Sequence, residues 1–360
     1  MLNHDIIGFE EYPSSYKVSL SSLARHNQVI HGVMNYSSVK LTPLEKLNVC
    51  TPANIELSSH LHVCKYYKSI ISKNLRQEFT HFFEPMYQLA SHGLDYLDCR
   101  YSNYQSRLLK EYILNAIINS NPLSLIRIGD GESYAWLEQL SPQDIALRER
   151  AWWRDRLSTS ERIKISTQLR ESISNATILG IPSCYRLARD TTEGQQSYKD
   201  NDATYPLLHI AKGVLSLQIS AVAFTEERIH QLIFNTDTIR LYVKHSQKVL
   251  FVTSIKPEEL NGLFNHCSDK ITHITIPTHT KMIGLESYES TDISLPFVYE
   301  DIIHQINNVV LPGTLVIIGA GVLGKIFCHK VLLKGGIAID VGSMVDYWLG
   351  YRTRSIKDQL

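Results

Sequence analysis

The sequence predicts an α/β protein, a mostly parallel sheet with helices on both faces, carried behind a largely helical N-terminal region. Three observations lead there. From about Pro122 to the C-terminus, short apolar runs of strand length alternate with segments of helical periodicity, the pattern of repeated strand–helix–strand units. The chain has 360 residues, enough for one large α/β domain with an attached segment. Its first part, up to about residue 120, has a different character by the same periodicity test.

In chain order, Met1 to about Asn54 is polar and shows no clear period, while Leu75–His92 and Arg107–Asn119 read as helices. A boundary near Asn119–Pro122 divides residues 1–120 from an α/β domain over 121–360. The predicted strands are Leu123–Ile128, Thr177–Ile181, Ala221–Phe224, Val249–Thr253, Ile271–Ile276, Leu315–Ile318 and Ile337–Val341. Helical patterns over Glu226–Asn235, Pro257–Asn265, Val298–Val309 and Val322–Leu333 separate most of them. Arg186–Tyr205 is nearly devoid of large apolar residues; a long polar connection of this kind is a functional lid or a disordered loop. No internal repeat is present.

Charge narrows the function classes. Lys+Arg and Asp+Glu both number 36, which argues against a nucleic-acid-binding protein, whose affinity depends on excess basic residues. The N-terminus lacks the basic start and apolar core of a signal peptide. No apolar run approaches the length of a membrane span, so a transmembrane segment is not expected, although peripheral contact with a membrane is compatible with this. Six scattered cysteines without a CxxC read as the reduced thiols of a cytoplasmic protein.

The most informative stretch is Leu123-Ser-Leu-Ile-Arg-Ile-Gly-Asp-Gly-Glu132. A strand ends at a turn where Gly129 and Gly131 bracket Asp130. Side chains two apart in an extended chain share a side, so Asp130 and Glu132 can converge on one cation. Oxygen ligands suit a hard ion, Mg²⁺ or Mn²⁺. The competing reading is a helix start, with Asp130 as N-cap and Glu132 in the first turn. Arg127 could bind phosphate or pair with a carboxylate.

A second stretch, Gly319-Ala-Gly-Val-Leu-Gly324, is a complete GxGxxG between a strand and a helix, with Asp340 about 20 residues on, where a ribose-binding acid belongs. Its position is the objection, since only 36 residues follow Gly324 and the dinucleotide fingerprint opens a domain rather than closing one. Three readings therefore stand: phosphate contact at a helix N-terminus, tight helix–strand packing, or NAD-type binding. His60-Leu-His-Val-Cys64 and the group His266, Cys267, His273 and His279 lack zinc-site spacing. The run Arg148–Arg156 mixes arginines with tryptophans that could stack on a base or sugar ring, but its interleaved acids and helical character favour an amphipathic packing helix. Neither a GxSxG elbow nor a P-loop is present.

Taken together, Leu125–Glu132 and the C-terminal stretches Leu315–Gly324 and Ile337-Ala-Ile-Asp-Val-Gly-Ser-Met-Val-Asp-Tyr-Trp348 resemble the GT-D-type glycosyltransferases, over roughly Leu123 to Arg354. That resemblance implies a Rossmann-related, GT-D-like fold and a nucleotide-sugar donor, a UDP-sugar first. It also implies a carbohydrate or glycolipid acceptor in bacterial surface glycan synthesis, and Mn²⁺ or Mg²⁺ held by Asp130 and Glu132. Arg127, Gly129, Gly131, Gly319, Gly321, Gly324, Asp340 and Ser343 are then expected at the donor. Asp346 and Glu226 compete as the base that deprotonates the acceptor, with a helix-cap role the alternative for Asp346. Many members carry Gly-His after the last strand where this chain has Gly342-Ser343, so that histidine's role falls to other residues here. Two further readings stay open: an NAD(P)-dependent oxidoreductase using Gly319–Gly324, and a non-catalytic interaction protein on a degenerate transferase fold.

Overall fold

Eight strands, all parallel, form one sheet in the order β1-β4-β3-β2-β8-β7-β5-β6. They are β1 (Asp95–Leu97), β2 (Leu123–Arg127), β3 (Ile178–Ile181), β4 (Ala223–Glu226), β5 (Val249–Thr253), β6 (Ile271–Thr275), β7 (Leu315–Ile318) and β8 (Ile337–Asp340). The computed structural model describes residues 68–351 apart from 70, 72, 92–94, 98–102, 155, 184–185, 188–205, 280–286 and 289–292. Each predicted strand is found within two residues of its expected bounds. The addition is β1, which lies ahead of residue 120 and pairs Asp95 with Ala223. Three residues in a mixed stretch are too few to show a period.

The principal helices are α1 (Glu84–Ser91), α2 (Asn103–Ile118), α3 (Pro142–Trp153), α4 (Thr159–Ser174), α5 (Pro206–Leu215), α6 (Ile229–Ile233), α7 (Thr236–His245), α8 (Pro257–Leu263), α9 (Tyr299–Val309), α10 (Gly324–Leu333) and α11 (Met344–Trp348). Alternating strand residues feed two cores. Ile126, Phe224, Val252 and Ile318 pack with residues of α4, α5, α9 and α10 on one face. Leu125, Ala223, Phe251 and Ile317 pack with α2, α6, α7, α8 and α11 on the other. A sheet covered on both sides needs apolar residues at every position, and β2, β3, β4, β5, β7 and β8 are buried throughout. The helical stretch before β1 joins the first core through Phe79, Phe83, Met86 and Tyr87. No helix among the described residues is long and apolar enough to cross a membrane. The His60–Cys64 motif lies outside the described residues, and His273 bonds Asn261 at 3.2 Å.

Topology fixes where a ligand can bind. The chain leaves β2 toward β3 over the first face, whereas it leaves β8 into α11 on the second. These two strands are neighbours, Leu125 pairing with Ile339. The connections part at their carboxyl ends, and in open α/β sheets such a switch point is the crevice where ligands bind.

The run Arg148–Arg156 serves packing. Trp153 is buried, and Tyr134 sits edge-on to both Trp152 and Trp153. Fully buried Glu149 accepts the Tyr134 hydroxyl at 2.6 Å, the Leu157 amide at 3.1 Å, and Arg162 Nε and Nη2 at 2.6 and 2.8 Å. Burial pushes its pKa up, but the Arg162, Tyr134 and Leu157 hydrogen bonds outweigh burial and hold it below the ordinary 4.5. A depressed carboxyl stabilises the fold above the unfolded pKa and loses that contribution as pH falls through the folded one. Breaking a buried pair is strongly destabilising, here moderated because Arg162 keeps 24% of its side chain exposed. Glu149→Ala is therefore expected to cost about 3 kcal/mol in denaturant unfolding at pH 7 and to flatten the acid loss of stability; a cost below about 1 kcal/mol would mean that the bonds carry no net weight.

Candidate active site

At the crevice, β8 ends in Asp340, which is completely buried. Its Oδ1 accepts from Arg127 Nη2 at 3.1 Å and from the Gly342 amide at 3.1 Å, and its Oδ2 lies 2.9 Å from Lys325 Nζ. Burial pushes the Asp340 pKa up; Arg127 and then Lys325 outweigh it and hold the carboxyl below the usual range. Arg127 comes from the end of β2. Its Nε donates to the Asp340 carbonyl at 2.9 Å, and its Nη1 to the Glu227 carbonyl at 2.9 Å and to His230 Nδ1 at 2.7 Å. Because arginine only donates, His230 Nδ1 is an acceptor here. Gly342 has a φ of +53°, and a Cβ there would come within 2.4 Å of Arg127 Nη2. Only glycine admits the guanidinium at this turn.

Lys325, in the first turn of α10, is the second buried cation. Its Nζ reaches Glu132 Oε1 at 2.9 Å, Asp340 Oδ2 at 2.9 Å and the Gly321 carbonyl at 3.1 Å. Burial lowers its pKa, but Asp340 and Glu132 more than compensate and raise it above 10.5. Two ion pairs and one hydrogen bond of this ammonium thus tie the turn after β2, the end of β8 and the glycine loop after β7.

The glycine loop divides its labour. A Cβ on Gly319 would meet Val345 Cγ2 at 2.6 Å, and one on Gly324 would meet Ile318 Cγ2 at 3.2 Å; both positions serve close packing. Gly321 has a φ of +56° and faces open space, so it serves conformation. Gly131 packs the turn after β2 onto this loop, its Cβ position lying 3.1 Å from Val322. The acid that would read a ribose, Asp340, turns both oxygens inward. The dinucleotide reading thereby loses its ribose contact.

Residues 130–135 form a 3₁₀ helix with Gly129 at the N-cap, so Asp130 and Glu132 do not share a side as they would in an extended chain. The helix-start reading describes the backbone, one position shifted. Glu132 Oε2 accepts the Gly129 amide at 2.7 Å while Oε1 faces Lys325, and this pair of bonds pulls the side chain inward. Asp130 points outward, 55% exposed, with Arg186 Nη2 3.5 Å from Oδ1. A divalent cation needs converging carboxylate oxygens. No group of three His, Cys, Asp or Glu side chains suited to a metal occurs among the described residues. Asp130 and Glu132 thus stand adjacent on the turn, Asp130 facing outward and Glu132 facing the Lys325 ammonium.

The remaining positions sort themselves similarly. Arg127 pairs with a carboxylate rather than facing solvent. Asp346 accepts the Tyr288 hydroxyl at 2.7 Å, a structural partner. Ser343 stands at the N-cap of α11 and makes no side-chain capping bond. Glu226 is buried at the end of β4 and has partners of its own. Sequence reasoning passed over its neighbour Glu227, which is 3% exposed and whose Oε1 is held by Arg186 Nη1, with Arg228 Nε at 3.8 Å. It also passed over Lys325, His230 and Arg186. The signal for Lys325 was its place directly after the last loop glycine, one helical turn from Gly321.

Residues 105–348 match the GT-D fold-like domain family. No curated protein sequence matches the chain. Among solved structures, one described as a selenomethionine-substituted domain of unknown function 1792 is 16% identical, covering 76% of this chain and 88% of that one with a TM-score of 0.43. Another, described as a new glycosyltransferase of the same domain type from Streptococcus sanguinis, is 17% identical, covering 73% and 88% with a TM-score of 0.42.

Lys325→Met removes the shared counter-charge of two buried carboxylates, and breaking such a pair costs about 3–5 kcal/mol. Denaturant unfolding at pH 8 should show a loss of that size. The loss should shrink toward pH 5, because carboxylates left unpaired in the interior take up protons more readily. A loss that is small and independent of pH would contradict the assignment of Lys325 as the bridging cation.

Proposed function

This chain belongs to the GT-D-like family, and we propose that it is a glycosyltransferase moving a sugar from a nucleotide-sugar donor to a carbohydrate or glycolipid acceptor. The observation that carries the reading is that the family match spans the whole site-bearing part of the chain, from α2 to α11. Glycosyl transfer requires a diphosphate to depart with growing negative charge, which fixed cations and N–H dipoles stabilise. In this reading the donor lies across the crevice over the Gly321 turn, and the acceptor approaches from the side of β4. Arg148, whose Nη1 donates to the Asp130 carbonyl at 3.0 Å, and Arg186 flank the diphosphate. Arg127 and Lys325 act from behind by fixing the carboxylates and the loop. A UDP-sugar and a role in surface glycan synthesis extend the same proposal.

Calorimetric titration with UDP, GDP, CDP and NAD⁺, each with Mn²⁺ and again with EDTA, tests it. Saturable binding of one nucleoside diphosphate, followed by release of that diphosphate from its nucleotide sugar, is the expected result. Binding of NAD⁺ alone would replace the reading with the oxidoreductase one. Absence of binding by any of the four, and by intact nucleotide sugars, would favour a non-catalytic role.

A further inference from the structure

We propose that Glu227 is the catalytic base of the transfer, an assignment that rests on the glycosyltransferase reading. Glu227 follows β4 at the same end of the sheet as the crevice. Its two carboxylate oxygens are treated differently. Oε1 is pinned by Arg186 and lies within 3.8 Å of Arg228. Oε2 is buried and has no hydrogen-bond partner. A buried acceptor without a partner forfeits its hydration with nothing in return, the more so when charged, and such groups in a folded protein call for a functional account. This one is aimed at Gly129: a Cβ on that residue would sit 3.2 Å from Glu227 Oε2 and 3.7 Å from Glu132 Oε2. Only a residue without a Cβ lets the turn after β2 pack this close to the carboxylate.

Three other acids near this end of the sheet face fixed partners. Asp340 and Glu132 share Lys325, and each also accepts a backbone amide. Asp346 holds Tyr288. Arg186 reaches both Glu227 and Asp130, and so fixes the base relative to the turn after β2. With Oε1 anchored, Oε2 is the oxygen left to receive a proton.

In the step that follows, Glu227 Oε2 takes the proton of the acceptor hydroxyl. The acceptor oxygen forms a bond to the anomeric carbon as the bond from that carbon to the diphosphate oxygen breaks. The electron pair leaves with the nucleoside diphosphate, and the anomeric configuration inverts.

Glu227→Gln tests this, because the amide keeps the shape and an oxygen for Arg186 but cannot act as a base. The nucleoside diphosphate bound by the wild type serves as the binding probe, and its release from the matching nucleotide sugar, with water as acceptor, reads turnover. The variant is expected to bind the nucleotide within about threefold of wild type and to release it at least 100-fold more slowly, within the span general-base catalysis covers. A rate within threefold of wild type, or a product of retained configuration, would overturn the assignment. If Glu227→Gln unfolds, Glu227→Asp keeps the charge and shortens the reach; it should turn over at a clearly reduced rate, and an unchanged rate overturns the proposal. A wild-type protein that neither binds nor releases a nucleotide defeats the transferase reading itself, a failure distinct from that of the base.

Discussion

The architecture depends on one buried carboxylate. Asp340, at the end of a central strand, is fully shielded from water between Arg127 and Lys325. Its ionisation is tolerable only because both cations are present and the Gly342 amide completes its bonds. Removing any partner strands the others in the interior. The cluster therefore couples four chain segments distant in sequence: the end of β2, the glycine loop, the end of β8, and the loop after β4 through the Glu227 carbonyl.

That coupling explains why polar residues accumulate at the carboxyl end of a sheet whose strands are otherwise apolar. Burying several charges is expensive, and a protein that needed only stability would fill this space with hydrocarbon at less expense. What the charges supply is placement. The Gly321 carbonyl bonds Lys325, the Gly129 amide bonds Glu132, itself paired with Lys325, and the Glu227 carbonyl bonds Arg127, so all three segments hang on the same frame. A ligand entering between them meets groups already oriented, the condition under which fixed dipoles stabilise a developing charge most effectively.

Much of the fold was legible in the sequence because buried parallel strands leave an unmistakable trace. Runs such as Val249–Val252 and Leu315–Ile318 are apolar at every position and lie between helical periods. β1 was not legible, since three residues at a sheet edge carry no period. At the site, the importance of Gly129–Glu132 and Gly319–Gly324 could be read, but their geometry could not. Extended and helix-start backbones were both open at Asp130; the segment is a 3₁₀ helix in which Glu132 bonds the Gly129 amide and faces Lys325. The partner of Glu132 is a lysine some 190 positions away in the chain. Pairings of that kind are set by strand order, which local periodicity does not encode. Glu227 was hidden for a related reason: Glu226 and Glu227 are indistinguishable as letters, and only the local fold shows which one is left with an unpartnered oxygen facing Gly129.

The central claim is that a donor nucleotide lies where the connections of β2 and β8 part. Hydrogen–deuterium exchange of the full chain with and without a saturating nucleoside diphosphate measures this directly. Protection concentrated in residues 128–133, 226–230 and 319–325 is the expected result. Protection confined to the amino ends of the strands or to the helices of the outer faces, with those three segments unchanged, would contradict it.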